Sequence, residues 1–74
     1  MSFGYSSVFV ERVRNANRNH LGVRLAKFCI ANNISVAKVA GKFKVSRATV
    51  YKWFVGATTP DKTLHGQIHR FIGD

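Results

Sequence analysis

The sequence predicts an all-α fold, a compact bundle of about five short helices, and three observations lead there. Apolar residues recur three and four positions apart in each stretch between breaks. Residues suited to helix caps stand at the heads and ends of those stretches, and strand-like alternation is weak along all 74 residues.

Taken in order, Ser6 or Ser7 can cap a first segment whose Phe9, Val10 and Val13 share one face, with Glu11, Arg12 and Arg14 lying mostly elsewhere. The polar run from Asn15 to Asn19 breaks it. Phe3 and Tyr5, just before, are expected to cover a neighbouring helix. A second helix starts near Asn19 or His20 and carries the stripe Leu21, Leu25, Phe28 and Cys29. Asn32 and Asn33 suit its end, where a left-handed residue is often needed. Ser35 caps a third helix with Val36, Val39, Ala40 and Phe43 inward and Lys38 and Lys42 outward. Only Lys44 and Val45 intervene before a further cap, Ser46, and a fourth helix with Val50, Trp53 and Phe54 inward. Two caps around one short turn define two helices meeting at a steep angle. Gly56 ends the fourth helix, and Ala57 to Thr59 lead to Pro60. Asp61 then caps a last helix whose apolar face is Leu64, Ile68, Phe71 and Ile72.

Charge narrows the function. Twelve Lys and Arg residues against three acids, Glu11, Asp61 and Asp74, give a net charge of +9, which directs the chain toward polyanions. Nucleic acid is the commonest within cells; an acidic membrane surface or an acidic protein would also answer. So few acids leave almost no material for acid–base catalysis, and no nucleophile–base pair, carboxylate dyad or glycine-rich phosphate loop is present, so no enzymatic activity is expected. His65 and His69 lie four apart on the last helix, but two ligands do not make a metal site, and no metal or cofactor is expected. The lone Cys29 excludes an intramolecular disulfide and reads as a small core residue in a reducing compartment. No apolar run reaches the length of a membrane span, and Met1 to Val13 has no leader-like pattern. A soluble, unprocessed cytoplasmic protein is the expectation, nucleoid-associated or in the cytoplasm of a host cell.

The stretch VAKVAGKFKVSRATVYKWFVG, Val36 to Gly56, resembles the helix-turn-helix of the lambda-repressor-like (Cro/repressor type) family of phage and bacterial regulators. Small Ala40 stands where the two helices must approach closely, Val45 sits in the turn, Ser46 caps the next helix, and Val50 and Trp53 return to the core. With the flanking helices the resemblance covers about three quarters of the chain. It implies a single helix-turn-helix domain, residues 1–74, with 1–18 as an N-terminal extension carrying an extra helix and 20–72 as the core. Two positions depart from the family pattern. Lys44 stands where glycine is frequent and must adopt a left-handed conformation at roughly 1 kcal/mol; Val36 stands where a phosphate-binding glutamine is frequent.

In such a motif the leading helix braces on the phosphate backbone and the second places its N-terminal side chains against base edges. With Val50, Trp53 and Phe54 behind, Arg47, Ala48, Tyr51 and Lys52 project forward as the base-reading set. Arg47 can fork onto guanine, and Ala48 can pack on a thymine methyl. Ser35, Lys38, Lys42, Lys44, Ser46 and Thr49 are the expected phosphate contacts. The resemblance implies a sequence-specific binder of double-stranded DNA, a small regulator that acts by occupying a promoter. It also implies a homodimer, at least on DNA, joined through Phe71 and Ile72 or through the segment around Phe9. The alternative is a protein-interaction module on the same scaffold, binding a host protein through Phe3, Tyr5 and the first helix. RNA binding is a weaker reading, because no exposed aromatics are arranged to stack single-stranded bases.

Overall fold

Each helix begins where a side chain takes up backbone N–H groups that helix geometry leaves without partners. A computed structural model of the protein describes residues 5–73, and these form five helices: α1 (Ser7–Asn15), α2 (Leu21–Ala31), α3 (Val36–Phe43), α4 (Arg47–Phe54) and α5 (Lys62–Ile72). Ser6 accepts from the Phe9 N–H at 3.1 Å, Ser35 from Lys38 at 3.1 Å and Ser46 from Thr49 at 3.1 Å. His20 caps α2 through Nδ1, which accepts from the Gly22 N–H at 3.1 Å. Asp61 caps α5, and the hydrogen bonds that it accepts from the Thr63 N–H and then the Thr63 hydroxyl hold its carboxyl below the usual pKa.

Three successive helices end in one way. Asn33, Lys44 and Gly56 take left-handed backbone (φ 56°, 57° and 79°). The N–H of the following residue then reaches back over the last turn, Ile34 to the Cys29 carbonyl, Val45 to that of Ala40 and Ala57 to that of Lys52, at 2.8, 3.0 and 2.9 Å. The connection between α3 and α4 is therefore Lys44, Val45 and Ser46, with the left-handed residue where the sequence requires it. A lysine there is strained by its Cβ. Lys44→Gly is expected to stabilise the fold by up to about 1 kcal/mol, raising Tm by roughly 5 °C in thermal denaturation; a lowered Tm would show that the lysine stem contributes packing that the turn needs.

Around these helices lies one core, to which all five contribute: Val13 from α1, Val23, Leu25, Ala26 and Cys29 from α2, Val36, Val39, Ala40 and Phe43 from α3, Val50, Trp53 and Phe54 from α4, and Ile68 from α5. Helix α2 is the axis, packing against α1, α4 and α5, while α3 packs on α4. Neighbours on three sides explain why its buried face is wider than the expected stripe: Gly22, Val23 and Ala26 are buried, whereas Leu21 and Phe28 are half-buried. A close approach that the sequence reading did not single out lies between α2 and α4. Ala40 is buried as predicted, but at Gly22 an added Cβ would overlap the Trp53 carbonyl oxygen and lie 2.8 Å from both its carbonyl carbon and its Cβ.

Two residues of the segment read as an extension, Tyr5 and Val13, belong to this core. Tyr5 is buried, stacks on Phe9 (ring centroids 5.8 Å apart) and donates its hydroxyl to the Ile34 carbonyl at 2.6 Å. Burial pushes its phenol pKa well up. The expected covering role thus holds for Tyr5; Phe3 lies outside the described residues.

Cys29 is fully buried, and burial pushes its thiol up to about 12. Alkylation by a thiol reagent is therefore expected only as fast as the domain opens, accelerating with denaturant. Rapid labelling under native conditions would contradict the packing of α2. No helix of the described residues is long and apolar enough to cross a membrane.

Candidate nucleic-acid interface

Helices α3 and α4 divide their side chains cleanly between core and solvent. On α4, Val50, Trp53 and Phe54 are buried, while Arg47, Ala48, Tyr51 and Lys52 are exposed. This is the division expected from the spacing, because residues three and four apart share a helix face. On α3, Val36, Val39, Ala40 and Phe43 face inward and Lys38 and Lys42 outward. Lys44, in the connection, is exposed as well.

Five cations thus lie on two adjoining helices and the turn between them. The sequence holds no acid between Arg12 and Pro60, and none of Lys38, Lys42, Lys44, Arg47 and Lys52 pairs with a carboxylate of the described residues. The first turn of α4 adds the partial positive charge of a helix N-terminus beside Arg47. Among the described residues no carboxylate pairs with these five cations, so the face carries a concentrated positive charge.

The individual residues differ in how free they are to act. The Lys42 ammonium sits over the Phe71 ring, 5.5 Å from its centroid, so part of its reach is turned toward α5. The Ser35 and Ser46 hydroxyls accept from backbone N–H groups, and Ser46 shares a 2.9 Å hydrogen bond with the half-buried Thr49 hydroxyl. Capping fixes the Ser35 and Ser46 hydroxyls; of the three hydrogen-bonding capacities of a hydroxyl, Ser46 uses two here and Ser35 one. Among the described residues, the charged groups of Lys38, Lys44 and Arg47 have no such tie.

Sequence reasoning missed a feature of the outer side of α3. Gly41 is exposed in mid-helix, with nothing within 4 Å of where its Cβ would be. With exposed Ala37 one turn earlier it leaves this side of the helix low between the lysines. The spacing of small residues was visible, but only the structure shows that no neighbouring helix fills the space.

Other candidate features carry less. Two of the residues expected at a dimer surface have ring contacts within the chain: half-buried Phe71 packs edge-on to Phe28 and Phe43, and Phe9 packs against Tyr5, Phe54 and Tyr51. The large apolar side chains left exposed among the described residues are Val8 and Tyr51. His65 makes a 2.9 Å contact from Nε2 to the Pro60 carbonyl, and no group of three His, Cys, Asp or Glu among the described residues could hold a metal ion. No family model, no curated protein and no solved structure matches this chain.

Proposed function

We propose that this protein is a sequence-specific binder of double-stranded DNA, with α3 and α4 used as a helix-turn-helix of the lambda-repressor-like kind. The observation that carries the reading is the unopposed basic face of α3, the turn and α4, set on a pair of helices joined by three residues. Helix α3 braces on the phosphates through Lys38, Lys42 and Lys44, aided by the hydroxyls of Ser35, Ser46 and Thr49. Its low outer side at Ala37 and Gly41 admits a phosphate backbone closely. Helix α4 enters the major groove and presents Arg47, Ala48, Tyr51 and Lys52 to base edges.

The role is regulatory and non-catalytic: occupancy of a promoter excludes other proteins from it, in the nucleoid or the cytoplasm of a host. One domain of this size supplies few base contacts, so two copies read two half-sites. The competing protein-interaction reading loses one of its proposed anchors, since Tyr5 is committed to the core.

Selection of bound sequences from random duplex tests the proposal. The expected result is a short enriched motif with two-fold symmetry, and an affinity that falls steeply between 50 and 200 mM salt, by orders of magnitude when several phosphates are neutralised. Absence of enrichment together with salt-insensitive binding to a protein partner would overturn it.

A further inference from the structure

Tyr51 differs from Arg47, Ala48 and Lys52 in that another element holds it from the side. The Phe9 ring of α1 meets it edge-on, with centroids 5.3 Å apart at 86°. Phe9 in turn lies 6.2 Å from the Phe54 ring and stacks on Tyr5, whose hydroxyl is bound to the Ile34 carbonyl just before the Ser35 cap of α3. A run of contacts therefore leads from the entry of α3, through α1, to the exposed face of α4.

Core packing accounts for most of that run, because Phe54 is fully buried beneath Tyr5 and Phe9. It does not account for the last step. Tyr51 is 43% exposed, so its ring adds little to the core. What the contact does is restrict the ring. A tyrosine free on a helix surface samples several staggered side-chain conformations and loses that freedom on binding; one already held does not.

We infer that Phe9 is a positioning residue for base recognition, fixing the Tyr51 ring so that α1, outside the α3–α4 unit, sets the preference at the base pair that Tyr51 faces. The inference rests on the reading of α4 as the base-reading helix. The chemistry is that of a phenol against a base edge: the ring packs on a thymine methyl, and the hydroxyl donates to or accepts from a neighbouring polar atom. Phe9 itself touches no DNA.

The test uses the full chain, the selected duplex and all its single-base-pair variants. Binding is measured for the wild type, Phe9→Leu, Tyr51→Ala and the double variant, with helical content checked by circular dichroism. Phe9→Leu keeps apolar volume against Tyr5 and Phe54 and removes the ring edge; Phe9→Met takes its place if the leucine variant loses its helical signal. At the base pair where Tyr51→Ala relaxes preference, the Phe9 variant is expected to reduce discrimination roughly threefold to tenfold. The salt slope and the preference at the Arg47 base pair should not change, and the double variant should discriminate no worse than Tyr51→Ala alone. A purely structural role would instead weaken binding to every duplex by one factor and add to the effect of Tyr51→Ala, and either result overturns the inference. If the wild type selects a site but the Phe9 variant keeps its full pattern of preference, this inference alone fails. If the wild type binds no duplex, the DNA reading fails and this one with it.

Discussion

Trp53→Ala is expected to abolish cooperative folding. Trp53 is nearly fully buried on α4, faces the Phe43 ring of α3 at 6.4 Å and has its backbone against Gly22 of α2, so it stands where three helices meet. Truncating such a side chain costs about 3 to 5 kcal/mol, while domains of this kind have total stabilities of roughly 5 to 15 kcal/mol, with small ones at the low end. Thermal denaturation followed by far-ultraviolet circular dichroism checks it. Retention of a sharp transition only a few degrees lower would mean that the space behind α4 can collapse. DNA binding should disappear together with the fold, because a residue on the buried face affects recognition only through folding.

Gly22→Ala should destabilise for the opposite reason, by adding an atom. The new Cβ would enter space held by the Trp53 carbonyl and Cβ. A backbone group cannot rotate away as a side-chain end can, so α2 and α4 must separate. Overpacking typically costs about 1 to 3 kcal/mol, and a clash with backbone belongs at or above the upper end. The gain of about 1 kcal/mol in helix propensity from Gly to Ala does not offset it. A contrast is available on the outer side of α3, where the same substitution at Gly41 meets no atom and should stabilise. Denaturant midpoints for the two variants should therefore move in opposite directions. A shift of the same sign in both would contradict the close approach of α2 and α4.

Much of this arrangement is readable from local chemistry. The caps at Ser35, Ser46 and Asp61 announce themselves because a short polar side chain before an apolar period has few other reasons to be there. The split of α4 into Val50, Trp53 and Phe54 against Arg47, Ala48, Tyr51 and Lys52 follows from helical period alone. The left-handed Lys44 is expected from the resemblance, which puts it where glycine is frequent, and is present at φ 57°. What local chemistry could not supply is pairing between elements distant in sequence. Gly22 looks like any helix glycine until Trp53, 31 positions on, is seen against it. The placement of α1 depends likewise on Tyr5 meeting Ile34 and Phe9 meeting Tyr51, contacts that no period encodes. The α2 stripe came out too narrow because a stripe presumes one buried side, and this helix has three packed neighbours.

In the proposed function the face of α3, the turn and α4 reads DNA, with positioning and reading divided between its residues. The most direct measurement is binding of the wild type, Lys44→Gly and Arg47→Ala to the selected duplex and its single-base-pair variants at two salt concentrations. Lys44→Gly relieves backbone strain, so with the expected rise in Tm a loss of affinity reports the lost charge and not a weakened fold. It should lower affinity by a similar factor on every sequence and make the salt slope shallower by about one. Arg47→Ala should cost about 1 to 3 kcal/mol on the best site and flatten the preference at one base pair. If Lys44→Gly altered base preference while Arg47→Ala weakened all duplexes equally, the orientation of α4 on DNA would be wrong; if neither changed binding, DNA would be read by another surface or not at all.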